Sequence, residues 1–219
     1  MKSRIKFLII ITGIIYLFFN YKNLIGPYPI KEVKLKGEFI YVDENKLRKD
    51  LNLFIGKDLM TINLIEIKKN VEQNDWIKNS LIMREFPDIL AIELFEYKPL
   101  LLWNEKFYID DKGEKFEVKS KIDITLPSIR SSKSSSKEIY DLYTDISDLL
   151  KEIGLSVQTI SHAGDMLQVD TNRYKLLVRY SNYPEKFNEF ISIYEQFSIL
   201  AKKNIKVIDL RYSTGFAVH

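Results

Sequence analysis

Apolar and polar residues follow three patterns along the chain. Phe7 to Tyr21 reads FLIIITGIIYLFFNY, fifteen residues without a charge. After Pro27 and Pro29, which mark an extended linker, the pattern becomes alternation. Glu32-Val33-Lys34-Leu35-Lys36 predicts a strand that Gly37 ends. The pattern then becomes helical. Asp43 is placed to cap a helix carrying Leu47, Leu51 and Phe54, with Gly56 as its stop. Asn63 caps a second, with Glu66 as a capping-box partner and Leu64, Ile67 and Val71 as its apolar face. Trp76 opens two more strands, Ile77 to Phe86 and Ile89 to Tyr97, joined by a turn at Pro87-Asp88. Leu90, Ile92 and Leu94 share one face of the second, and Pro99 ends the unit. The order is β-α-α-β-β, with two helices available to cover one face of a three-stranded sheet.

A second segment is richer in strands. Lys106 to Ile109 reads as a strand, and Asp111-Lys112-Gly113 as a turn leading to Phe116. Ser131 to Ser136, SSKSSS, reads as a solvated loop. Residues 138–153 carry Ile139, Leu142, Ile146, Leu149 and Leu150 at helical spacing before Gly154. Three short strands fill 155–180, with turns at Gly164-Asp165 and Thr171-Asn172. Pro184 suits the first turn of a helix whose Phe187, Phe190, Ile191, Tyr194 and Phe197 form an aromatic core face. Ile205 to Arg211 predicts a long strand, Thr214-Gly215 a turn, and Phe216-Ala217-Val218 a last strand. The fold class is therefore α+β.

The apolar run behaves as a membrane anchor. Fifteen helical residues span roughly 22 Å, short of a hydrocarbon core of about 30 Å. Extension from Ile5 to Ile25 is long enough if Lys6 and Lys22 snorkel. A cleaved signal peptide competes, but Asn20-Tyr21-Lys22-Asn23-Leu24-Ile25-Gly26-Pro27 offers no small-x-small site. Lys2, Arg4 and Lys6 precede the run and only Lys22 closely follows it, which places the N-terminus in the cytoplasm. The expected organisation is a cytoplasmic tail over 1–5, a transmembrane helix over 6–25, and an exported remainder divided at 26–98 and 99–219.

Charge then changes meaning. The chain has 33 Lys+Arg against 30 Asp+Glu, a net of +3. Setting aside the four basic residues that flank the apolar run leaves 29 against 30. The exported part thus has no basic excess with which to hold a phosphate backbone, so no nucleic-acid partner is expected. The absence of Cys excludes disulfides, thiolate metal sites and a Cys nucleophile within this chain.

Candidate chemistry is sparse. No nucleotide-binding, zinc-protease or nucleophile-elbow motif occurs. His162 reads as an exposed turn histidine rather than a catalytic base. Asp110, Asp111 and Glu114 read as turn chemistry rather than a carboxylate site. Arg84 reads as a solvated strand charge. Trp76 and Trp103 read as packing residues, Trp103 being placed to mediate an interdomain contact. No catalytic residue, metal, cofactor or small-molecule substrate is expected.

Several local sequences resemble one family. Val33-Lys34-Leu35-Lys36-Gly37, Gly56-Lys57-Asp58-Leu59, Trp76-Ile77-Lys78, Arg84-Glu85-Phe86-Pro87-Asp88 and Glu96-Tyr97-Lys98-Pro99 resemble the POTRA domain of the FtsQ/DivIB family of bacterial cell-division proteins. Trp103, Tyr108-Ile109-Asp110, Leu126-Pro127, Ile208-Asp209-Leu210-Arg211-Tyr212 and Gly215-Phe216-Ala217-Val218 resemble its second, β-rich domain. The resemblance implies a non-enzymatic, single-pass inner-membrane scaffold at the division septum. Its periplasmic part would bind FtsB and FtsL and other divisome proteins, linking early and late division proteins to control septal peptidoglycan synthesis. It implies an FtsB-binding edge at Arg211, Tyr212, Ser213, Thr214, Gly215, Phe216, Ala217 and Val218. An apolar edge strand suits β-augmentation, with Tyr212 and Phe216 as anchors. The residues equally allow Phe216 and Val218 to belong to a buried strand pair. An alternative function is a POTRA-type envelope chaperone or polypeptide-transport factor.

Overall fold

The computed structural model describes residues 10–18, 26–119, 124–133, 135–200 and 205–219, with side chains left undescribed for 197–200. Residues 10–18 are helical (α1) and apolar. The rest of the expected 6–25 span lies outside the described residues. Among those described, no helix is long and apolar enough to cross a membrane. Close packing divides the chain into two units, Met1–Glu96 and Tyr97–His219.

In the first unit, β1 (Glu32–Lys36) is followed by α2 (Glu44–Leu51) and α3 (Leu64–Val71), then by β2 (Ile77–Glu85) and β3 (Ile89–Glu96). The sheet order is β1-β3-β2, with β1 parallel to β3 and β2 antiparallel to it. This is the expected β-α-α-β-β order. The caps act as the side chains dictate. Asp43 accepts the Lys46 N–H at 3.0 Å, and Asn63 accepts those of Ile65 and Glu66. Each satisfies donors that a helix start leaves without a partner. Leu90, Ile92 and Leu94 on β3 are buried together with Ile67 and Val71 of α3. Trp76 stacks on Tyr41 at 4.4 Å, and the Glu96 carboxylate accepts the N–H groups of Ile40, Tyr41 and Val42. Gly37 at φ +139 cannot be replaced cheaply, since a Cβ there would lie 2.7 Å from the Leu94 carbonyl oxygen.

Arg84 departs from expectation. Its side chain is not a solvated strand charge. Its guanidinium donates Nε to the Leu59 carbonyl at 2.6 Å and Nη2 to the Ile62 carbonyl at 2.8 Å. It thereby fastens the α2–α3 connection to the end of β2. Charged donors are well suited to loop carbonyls that have no ladder partner.

Among the described residues, the second unit is one nine-stranded sheet covered by two helices. Its strands are β4 (Pro99–Trp103), β5 (Phe107–Asp110), β6 (Lys115–Phe116), β7 (Ser128–Ser131), β8 (Val157–Ala163), β9 (Met166–Thr171), β10 (Lys175–Arg179), β11 (Val207–Asp209) and β12 (Ala217–Val218). The helices are α4 (Ser136–Lys151), between β7 and β8, and α5 (Tyr183–Leu200), between β10 and β11. Spatial order is β12-β11-β10-β9-β8-β7-β4-β5-β6. Ile139, Leu142, Ile146 and Leu150 of α4 and Phe187, Phe190 and Tyr194 of α5 share one core with the sheet. The Phe197 side chain lies outside the described residues.

Four readings need correction here. Pro99 opens β4 rather than only ending a unit, which a first strand position allows. Ser131 closes β7 and is buried, so it is not part of a solvated loop, and its Oγ lies 3.0 Å from His162 Nδ1. His162 belongs to β8, half-buried against the Tyr180 ring at 4.4 Å, and is not an exposed turn residue. The expected strand over 205–211 shortens to Val207–Asp209, because Lys206 is held by the His219 carbonyl and Leu210 by the Leu177 carbonyl outside the regular ladder. Asp110 does act as turn chemistry: it is buried, and its Oδ1 accepts the N–H groups of Lys112 and Glu114. Trp103 lies in the core of its own unit, near Phe107.

Candidate partner-binding edge

The site is built from the register of the sheet. Trp103 lies opposite Ile129, Ile129 opposite Ile160, Ile160 opposite Val169, Val169 opposite Leu176, and Leu176 opposite Ile208. Opposite residues in neighbouring strands point to the same face. These six side chains therefore form one apolar row across the sheet, all of it buried. Ile208 lies opposite Val218, which continues the row onto β12 and is 41% exposed. The row ends in the open.

The backbone at this position is also open. The His219 N–H donates to the Val207 carbonyl at 2.9 Å, and the Val207 N–H donates to the His219 carbonyl at 3.0 Å. Residues 207 and 219 are thus a hydrogen-bonded pair. By antiparallel alternation, 208 and 218 are a non-hydrogen-bonded pair, so the N–H and C=O of Val218 point away from β11. No strand covers that side of β12 among the described residues.

The segment leading into β12 is fastened from beneath. Lys186 on α5 is buried, and its Nζ donates to Glu189 at 2.6 Å and to the Ser213 carbonyl at 3.2 Å. Phe216 meets Phe190 edge to face, with centroids 5.9 Å apart. Of the two expected anchors, Phe216 thus faces inward, whereas Tyr212 is 54% exposed. Gly215 turns the chain at φ +73, and Ala217 lies opposite Asp209. Arg211 folds back onto the buried Asp209, donating its backbone N–H and Nε to Oδ1 and its Nη2 to Oδ2. Those hydrogen bonds, led by the guanidinium and opposed by burial, hold the Asp209 carboxyl below its ordinary value. Ser213 and Thr214 are exposed.

The eight expected residues are thereby brought into one contiguous segment, but they divide by role. Tyr212 and Val218 present surface, while Phe216 and the Ser213 carbonyl hold the segment down. Sequence reasoning missed Asp209 and Lys186. Asp209 and Arg211, opposite charges two residues apart, were a readable signal. Lys186 carried none, since a lysine just before the core Phe187 gives no sign of the carbonyl it will meet. Among the described residues no group of His, Asp and Glu is placed to hold a metal ion.

The chain is thus a β-α-α-β-β unit followed by a mixed sheet that ends in an open apolar strand, an edge of the kind able to accept a further strand. Residues 28–97 match the model of the POTRA domain, FtsQ-type, and residues 101–211 match that of cell division protein FtsQ/DivIB, C-terminal. The chain belongs to the FtsQ/DivIB family, non-catalytic proteins of the divisome, and so functions in cell division rather than as an enzyme. It is similar to cell division protein FtsQ of Shewanella oneidensis, 27% identical over 232 residues, covering 99% of this chain and 85% of the relative. It is similar to FtsQ of Neisseria meningitidis, 24% identical, covering 94% and 86%. It is also similar to FtsQ of Cellvibrio japonicus, 25% identical, covering 87% of this chain but 60% of that relative's length. Membership of the family brings divisome partners with it.

Proposed function

We propose that this chain is a single-span scaffold of the bacterial inner membrane, with a cytoplasmic tail over 1–5, a span over 6–25, a POTRA domain over 26–98 and a β domain over 99–219 in the periplasm. At the division septum it captures FtsB on the open edge of β12, with FtsL alongside. It thereby links early and late division proteins and controls septal peptidoglycan synthesis. The observation that supports this reading is the exposed end of the apolar row at Val218, beside outward-pointing backbone groups and exposed Tyr212. A strand added there would continue the ladder and cover the row, the two gains of β-augmentation.

The test is copurification. Full-length chain extracted from membranes should bring down FtsB and FtsL, and Tyr212→Ala should reduce FtsB recovery without changing the circular dichroism spectrum. Wild-type recovery by Tyr212→Ala and by a Val218 variant together would sink the edge assignment. Capture of unfolded exported polypeptides, with normal division after loss of the chain, would favour the chaperone function instead.

A further inference from the structure

The first unit gathers exposed apolar side chains at one end. That end carries the start of β1, the start of β3 and the end of β2, since Glu32 and Glu85 both lie opposite Ile89. It also carries the chain as it enters the unit. Tyr28 donates its N–H to Asp58, Pro29 bridges Asp58, and the Gly56 N–H donates to the Ile30 carbonyl. Leu53, Ile55, Met60, Ile65 and Phe86 are exposed here, and Phe86 meets the Tyr28 ring at 5.7 Å. The other exposed large apolar residues of the folded unit lie elsewhere: Ile40 is tied to Glu96 at the opposite end, Phe95 is near it, and Leu81 is in mid-strand.

Exposed apolar side chains gathered at one end of a folded unit mark a contact surface, and the length of the linker says with what. If the span ends at residue 25, only Gly26 and Pro27 separate it from Tyr28, a reach of about 10 Å. The proximal end of the unit is therefore pinned to the lipid–water boundary. We propose that this end rests on the membrane, with the Leu53–Met60 connection and Phe86 inserted among the headgroups. The inference depends on the anchor reading above. Amphipathic surfaces of this kind sink about 5–10 Å into the interface. Two carboxylates at this end are already engaged within the unit: Asp88 pairs with Lys31 at 2.8 Å, and Asp58 accepts from Tyr28, Met60 and Thr61. Lys57, over the Phe54 ring at 4.9 Å, is positioned to meet phosphate headgroups. The consequence is a fixed orientation: the unit stands on the bilayer by its hairpin tip instead of swinging on a linker.

Full-length chain in nanodiscs of phosphatidylglycerol and phosphatidylcholine, with or without brominated acyl chains, tests this through added tryptophans. The native Trp76 and Trp103 are buried and supply a constant background. Phe86→Trp and Met60→Trp should lose emission in the brominated discs, Ile14→Trp should lose it too, and Ile40→Trp should not. Quenching of Ile14→Trp with neither Phe86→Trp nor Met60→Trp quenched would overturn the proposal and leave the anchor standing. A blue-shifted but unquenched Phe86→Trp would mean a protein cover, such as a second copy, and would also overturn it. Equal quenching of Ile40→Trp would refute the end-on orientation. An unquenched Ile14→Trp would remove the anchor, and this inference with it.

Discussion

Replacing Val218 by proline removes one N–H that points away from β11 and leaves the β11–β12 ladder untouched. Proline is tolerated where a strand N–H faces away from its neighbour, so the isolated chain should melt at an unchanged temperature. Binding of a strand-forming partner should suffer. A backbone hydrogen bond contributes about 0.5–1.5 kcal/mol net, and an acceptor left buried without its donor costs about 1–3 kcal/mol. Dissociation constants should therefore rise roughly five- to a hundredfold, a tenfold change being about 1.4 kcal/mol. Val218→Thr separates the two contributions. It keeps the N–H but puts a hydroxyl at the end of the apolar row. Val218 is still 41% exposed in the free chain, and full burial of a valine is worth about 1.5–3 kcal/mol, so the side-chain share is about 1 kcal/mol. Isothermal titration of FtsB against the full-length chain in detergent reads both variants. Unchanged affinity for Val218→Pro, with an unchanged melting temperature, would refute capture through the β12 backbone. A lowered melting temperature would refute the alternation that places this N–H outside the ladder.

Other expectations follow from side chains that hold each unit together. Arg84→Met strips two loop carbonyls of their donor and should cost about 3–6 kcal/mol, given about 1.5–3 for each bond to a charged group; urea unfolding measures it. Lys186→Met should release the Ser213 carbonyl and raise hydrogen exchange in the 212–216 backbone with little loss of global stability. Leu90→Ala, at a fully buried position, should destabilise the first unit by about 2–5 kcal/mol by creating a cavity. The Asp209 carboxyl is lower in the folded than in the unfolded chain. Its stabilising contribution is therefore present above the unfolded value, near 4, and disappears as pH falls through the lower folded value. Asp209→Asn should flatten that acid limb of a melting-temperature profile; an unchanged limb would show that the Arg211 clamp does not matter.

The first unit was readable because its signals are local. Alternation in EVKLK, the caps at Asp43 and Asn63, and the two runs either side of Pro87 each report their own element within a few residues. β4 and β7 were not readable for the opposite reason. PLLLW shows no polar alternation, although in the sheet only Leu101 and Trp103 are buried while Leu100 and Leu102 stay half-buried, and SIRS becomes a strand only by lying between β4 and β8. Arg84 looked solvated because its partners are carbonyls 22 and 25 residues away. At the edge, the terminal strand was visible but its division of labour was not. Residues 216 and 218 share a parity; only their positions relative to α5 and the end of the row put Phe216 inside and Val218 outside.

Under the proposed periplasmic placement, the position of β12 also orders events during export. It pairs with β11, which pairs with β10 across α5, so the proposed docking edge is assembled from the last stretches of the unit. A chain folding as it is threaded across a membrane can complete its first unit, and most of the nine-stranded sheet, with no edge yet to offer. Until β11 and β12 arrive, the outer strand is β10, whose Leu176 lies within the same apolar row. Capture on β12 would then report a finished fold, and a partner arriving early would meet β10, in the place that β11 fills in parallel.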